Sequence, residues 1–360
     1  MSNSETRRAF ALRDLTTLTA LAGLAAALFV PLAVQAGGQS RMSVCMSRLK
    51  SIGASTARYG LDFQDRLAAL QGTPGRTVRY GNPGLGIQVI YSNNPFGDSQ
   101  SVSDQAVDII RRRSNRSDIQ RIENFLASIN FSHLAIVEHE QESLPSARWA
   151  CPEDSTLLTW QSDPLNYNNL GVPAPGGPGA LQNGDKRWPY ISSYQRGGYT
   201  WSADRPSEAT SSWNFTSASM YTSLGGFTRD VSNFGNRRLS QIRFPSTKVY
   251  LWDRGARHFT PTAVYWNFAD TKQPMLFFDG GVINTRTTRT GSTLRGWDWQ
   301  RPNNPNTTWS YRYQIESRNQ EWQPGFPNGQ PRGNATFSAA HFATTREGLS
   351  GTDLPIPGGQ

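Results

Sequence analysis

From Leu15 to Ala36 the chain carries no charge, and that run limits what it can become. Wound as a helix at ~1.5 Å per residue it is about 33 Å long, enough to cross a hydrocarbon core of ~30 Å. Thr16, Thr17 and Thr19 are tolerated there because their hydroxyls bond back to helix carbonyls. Pro31 kinks such a helix rather than ending it. Arg7, Arg8 and Arg13 precede the run, and Asp14 sits at its mouth. A carboxylate in that position is costly without a partner, so a plain anchor has no reason to keep one. The run therefore predicts a membrane-inserted N-terminus in which Asp14 is paired.

Three fates fit this segment. In the first, Arg7-Arg8-Ala9-Phe10 opens a twin-arginine signal that is cleaved at the small-residue site Val34-Gln35-Ala36. In the second, the segment is an uncleaved anchor. In the third, the helix continues beyond the membrane. Met42, Cys45, Leu49 and Ile52 recur at spacings of three and four, which gives one apolar stripe with Arg41, Arg48 and Lys50 off it. Gly60 is the predicted stop, being permissive for a left-handed cap. An arm of roughly 50 residues would be about 75 Å long.

These residues resemble the N-terminus of type IV pilins and type II secretion pseudopilins. In that family a short basic leader ends just before a Phe, which is methylated after cleavage. A Leu, an acid and a helix Pro follow. Phe10, Leu12, Asp14 and Pro31 take those positions here, with Ala9 where the family has Gly and Asp where it usually has Glu. The resemblance implies processing between Ala9 and Phe10 by a prepilin peptidase. It also implies that Asp14 of one subunit neutralises the new α-amino group of the next. The run Cys45-Met46-Ser47-Arg48-Leu49-Lys50-Ser51-Ile52-Gly53 is similar to a Cys-x-x-x-Leu-Lys-x-Ile-Gly pattern in pilin-like proteins of planctomycetes and related bacteria. Those proteins often carry a Cys-Pro-x-Asp, matched by Cys151-Pro152-Glu153-Asp154. They also often carry a strand ending in Asp-Gly after an upstream His, matched more loosely by Met275 to Gly280 with His258.

The remainder reads as a loop-rich head. There are 33 glycines and 22 prolines, while 11 Trp, 12 Tyr and 17 Phe supply aromatic area for a β-rich core. The net charge is +9, but its basic residues are scattered apart from Arg111-Arg112-Arg113 and Arg237-Arg238, with no zinc-finger or RNP pattern. A nucleic-acid partner is therefore not expected. Asp104–Ile129 has helical periodicity broken near Ser114, giving two helices or one interrupted helix. Leu85–Tyr91, Leu134–Val137, Thr156–Trp160, Ile191–Trp201, Thr247–Trp252, Val264–Phe268 and Pro274–Val282 are predicted strands. Pro164–Trp188 is a predicted long loop, and the proline-rich stretch after Asn284 is expected to decorate the surface.

Asp253, His258, Asp270 and Asp279 form the best polar cluster in the sequence. His and carboxylates are usable metal ligands, but turn chemistry accounts for them more simply. Asp279-Gly280 suits a hairpin turn that needs a positive φ, and Asp253 suits a loop cap. His133 and His139 flank the predicted strand 134–137 as edge residues. Cys45 and Cys151 either pair as a disulfide or stay as buried thiols, since sequence alone cannot set their separation. No nucleophile motif or phosphate loop occurs.

The expectation is an α+β protein. It has a leader over 1–9, a pilin-like helix over 10–60 with its transmembrane part at 15–36, and a head over 61–360 whose antiparallel sheet packs on the helix. The resemblance implies a single-pass inner-membrane protein with its head in the periplasm or on the cell surface. Other pilin-like subunits would be its partners, and it would have no catalytic residue, cofactor or metal. The alternative is an exported soluble enzyme or carbohydrate-binding protein released by cleavage after Ala36.

Overall fold

The computed structural model describes residues 41–70, 77–78, 89–90, 97–122, 127–172, 174–175, 177–200, 214–216, 235–258, 264–265, 271–286, 312–314, 342 and 348–354. The predicted membrane segment 15–36 lies outside them, as do Ala9, Phe10, Asp14 and Pro31. Among the described residues no helix is long and apolar enough to cross a membrane.

Among the described residues, 41–62 are helical and form α1. Short antiparallel strands β1 (Thr77–Val78) and β2 (Val89–Ile90) follow it, then α2 (Gly97–Ser114), α3 (Ala127–Asn130), α4 (Leu134–His139) and α5 (Ser155–Ser162). Beyond α5 the described elements are short 3-10 turns and the strands β3 (Tyr194–Arg196), β4 (Asn214–Thr216), β5 (Val249–Asp253), β6 (Gly255–Ala256), β7 (Val264–Tyr265), β8 (Lys272–Phe277), β9 (Val282–Arg286) and β10 (Arg312–Gln314). The main sheet has four antiparallel strands in the order β3-β5-β8-β9. The class is thus α+β with an antiparallel sheet, as expected.

The stripe predicted on α1 is the face that the sheet covers. Met42, Cys45, Leu49, Ile52 and Tyr59 are buried, while Arg41, Ser47, Lys50 and Arg58 are exposed. Across the sheet, Cys45 meets Tyr194 of β3 and Thr56 Oγ1 meets the Tyr250 hydroxyl of β5 at 3.1 Å. A Cβ on Gly53 would lie 3.1 Å from Leu276 of β8 and 3.7 Å from Gly280. Cys45, Leu49, Ile52 and Tyr59 on the helix and Tyr194, Tyr250 and Leu276 on the sheet are buried, and at about 25 cal/mol per Å² of apolar area this burial is the main force holding helix to sheet.

Four local expectations are corrected. The helix does not stop at Gly60. It runs to residue 62 and closes through Gln64 and Asp65, whose φ values are 53° and 71°. Gly60 serves close approach instead, since a Cβ there would collide with Leu239 Cδ1. Leu134–Val137 is helix, not strand. All four residues are buried, so the run has no polar face from which a period can be read. Thr156–Trp160 also lies in a helix, which Asp154 starts by accepting a hydrogen bond from Leu157 N at 3.2 Å. Over 104–129 the reading of two helices interrupted at Ser114 holds, since α2 ends there and α3 follows at Ala127, but the stretch between them is corrected. Asn115 takes φ 55° after α2, and buried Ile119 and Ile122 sit on non-helical chain. That loop is pinned by Arg116, which reaches Asp118, Pro164 O and the Tyr190 hydroxyl.

Candidate functional site

Four side chains from three distant parts of the sequence converge beside the first described turns of α1. Cys45, Cys151, Asp253 and His258 each offer one ligand-type atom, and these atoms all lie within 4.8 Å of one another. Helical spacing puts Cys45 on the stripe with Leu49 and Ile52, so its thiol faces the head, 3.3 Å from the Tyr194 hydroxyl. Cys151 ends the chain turn that leads into α5. Its N–H donates to Ser193 Oγ at 2.9 Å, and Ser193 in turn donates to Asp154 at 2.7 Å. Its sulfur lies 3.3 Å from His258 Nε2.

Asp253 closes β5, opposite Tyr194 of β3 in the ladder. One carboxylate oxygen, Oδ1, accepts from Gly255 N at 2.9 Å and pairs with Arg257. The other, Oδ2, is buried without a hydrogen-bond partner, in a residue with no solvent exposure. Arg257 is itself buried and bridges Asp253 to Asp154, the latter at 2.8 Å. His258 is half-buried, and its Nδ1 is enclosed without a partner.

The electrostatics of the group follow from crowding. The neighbouring Cys151 thiol lowers Cys45 to about 7, against the opposing effect of burial and with further help from His258. Burial, reinforced by Cys45, pushes Cys151 well above the usual thiol range. At His258 burial opposes the charged ring, but the hydrogen bond to Cys45 and the nearby Asp253 outweigh it and raise the pKa. Burial likewise opposes charge on Asp154, yet Arg257 and Arg254 keep its carboxyl low. Two sulfurs, an imidazole and a carboxylate at this separation are a donor set for a soft or borderline metal ion. The two cysteines are free thiols in the structure.

The sequence reading had two halves of this group but not the whole. It left Cys45 and Cys151 as either a disulfide or two buried thiols, and it grouped Asp253 and His258 with Asp270 and Asp279, while expecting no metal. Asp279 does not join them. Its Oδ1 accepts from Gly281 N at 2.8 Å inside the β8–β9 hairpin, where Gly280 takes φ 85°. That is the turn role expected of Asp279-Gly280. Asp270 lies outside the described residues. His133 caps the start of helix α4 and His139 is its last residue, so the run between them is not a strand, and the two do not converge. His133 packs on Trp149 at 5.0 Å between ring centroids, and His139 Nε2 meets Asp62 at 2.7 Å.

No protein-family model, no curated protein and no solved structure matches the chain.

Proposed function

We propose that this chain is a pilin-like structural subunit, anchored in the inner membrane by residues 15–36. Its head, in the periplasm or on the cell surface, packs on the outer part of the same helix. The observation that carries the reading is α1. Its buried stripe of Cys45, Leu49, Ile52 and Tyr59 seats the helix along an antiparallel sheet, and in the sequence the uncharged run 15–36 precedes it by four residues. A helix that is half lipid-compatible and half amphipathic suits a subunit whose N-terminal halves bundle while the heads stay outside. On this reading prepilin peptidase cleaves after Ala9. Asp14 then pairs with the Phe10 amino group of a neighbouring subunit in a pilus or type II secretion pseudopilus.

Mass spectrometry of the mature N-terminus tests it. An N-methylated Phe10 supports the pilin-like reading. A start at Gly37 overturns it in favour of an exported soluble protein, and retention of Arg7 and Arg8 overturns it in favour of a plain anchor. As a second check, Asp14→Ala is expected to insert normally but to lose crosslinks to other pilin-like subunits.

A further inference from the structure

The buried carboxylate oxygen of Asp253 decides how the four-residue cluster is used. A disulfide between Cys45 and Cys151 would satisfy two sulfurs and leave Oδ2 of a fully buried aspartate with no partner. Such a group is costly, and native proteins rarely keep one without a ligand for it. A bound cation satisfies all four groups at once. We propose that Cys45, Cys151, Asp253 and His258 bind one divalent transition-metal ion of the zinc class, which fastens α1 to the head.

The geometry suits that ion. Zinc–ligand bonds of about 2.0–2.3 Å give a tetrahedron with edges of about 3.3–3.8 Å. The Cys151–His258 separation is already 3.3 Å, and the whole set lies within 4.8 Å, so small side-chain rotations close it. Two thiolates with an imidazole select against calcium and magnesium, which take oxygen ligands. Three of the four residues are buried, which marks a closed structural site rather than a catalytic one with an open position.

The surroundings suit it as well. Arg257 orients Asp253, the Tyr194 hydroxyl contacts Cys45, and Ser193 holds the Cys151 backbone. These are outer contacts of the kind that fix metal ligands in place. Binding displaces the thiol protons of Cys45 and Cys151 to solvent. The anionic groups are then Cys45, Cys151, Asp253 and Asp154. The divalent ion together with Arg254 and Arg257 balances them.

The site rests on the geometry of the head and does not depend on the pilin-like reading. A mature start at Gly37 would remove that reading and leave Cys45 in place. The test uses the full chain, extracted in detergent and kept reduced. Elemental analysis should find about one zinc per chain, falling at least about tenfold in Cys45→Ser and Cys151→Ser. Chain stripped by a chelator and titrated with cobalt(II) should give tetrahedral ligand-field bands and a thiolate charge-transfer band. Asp253→Asn also loses its charge toward Arg257 and so risks misfolding. His258→Gln alters a half-buried residue instead, and it should lose the cobalt bands while keeping its circular dichroism. Absence of bound zinc and of the cobalt thiolate band overturns the proposal. So does a Cys45–Cys151 disulfide in protein alkylated straight from the cell, or unchanged cobalt spectra in Cys45→Ser, Cys151→Ser and His258→Gln.

Discussion

At Gly280 the φ of 85° places the residue where only glycine sits without strain. Gly280→Ala should therefore destabilise the β8–β9 hairpin by about 1 kcal/mol, read as a lower midpoint in denaturant unfolding. His133 gives a pH-dependent prediction. Burial, aided by the charge of Arg196, lowers its pKa to about 3. The unfolded chain then takes up a proton below about pH 6.5 that the native state refuses, so His133 makes stability fall as pH drops from there toward about 3. Between pH 7 and pH 5 the wild type should lose about 2 kcal/mol more than His133→Gln, at about 1.4 kcal/mol per pH unit. Equal losses in the two proteins would show that His133 does not carry this slope. Asp108 acts in the opposite sense, because burial raises its pKa to about 6, against the pull of Arg112. Its contribution is shared by both proteins and cancels in the comparison.

Among the elements, α1 has the clearest division between its faces. Leu49 is fully buried and Leu61 is 83% exposed on the same helix. Leu49→Ala should cost about 2–5 kcal/mol, whereas Leu61→Ala should stay within about 0.5 kcal/mol. Similar losses at both positions would mean that the helix does not use this face. The stripe was legible because one side of α1 is wet, which prints a 3.6-residue period on the sequence. The hairpin at Asp279-Gly280 was legible from its turn chemistry, and β5 from its run of β-branched and aromatic residues. Helices α4 and α5 were not. Leu134–Val137 is buried on every side, so strand and helix give the same apolar run. At α5 the missed signal was Asp154, which reads as an N-cap once the chain before it is known to turn at Cys151-Pro152.

Over the whole molecule, chain closure depends on contacts between remote segments. Lys248 and Asp353 form a fully buried ion pair at 3.3 Å, and Asp353 also accepts from Val249 N at 2.8 Å. This pins residues 348–354 to the start of β5. Asp353→Ala removes the carboxylate from a buried ammonium and should cost about 3–5 kcal/mol. Lys248→Met combined with Asp353→Leu should cost less than that single change, because no buried charge is left behind. A double mutant at least as unstable as Asp353→Ala would count against the pair's assigned role. The same dependence on remote contacts explains why the four-residue cluster was only half legible. The sequence left Cys45 and Cys151 as either a disulfide or two buried thiols, and it grouped Asp253 and His258 with Asp270 and Asp279. The meeting of Cys45, Cys151, Asp253 and His258 depends on how α1 crosses β3 and where the β5–β6 turn points, and no local spacing records that.

The crossing of α1 over the sheet also has a mechanical consequence. Contacts from Cys45 to β3, Thr56 to β5 and Gly53 to β8 are spread along the helix axis. Tension applied to the N-terminal end along that axis would load them in shear, together, whereas a sideways pull would peel them one at a time. A sheet seated in this way resists having α1 drawn out along its axis far better than having it levered off.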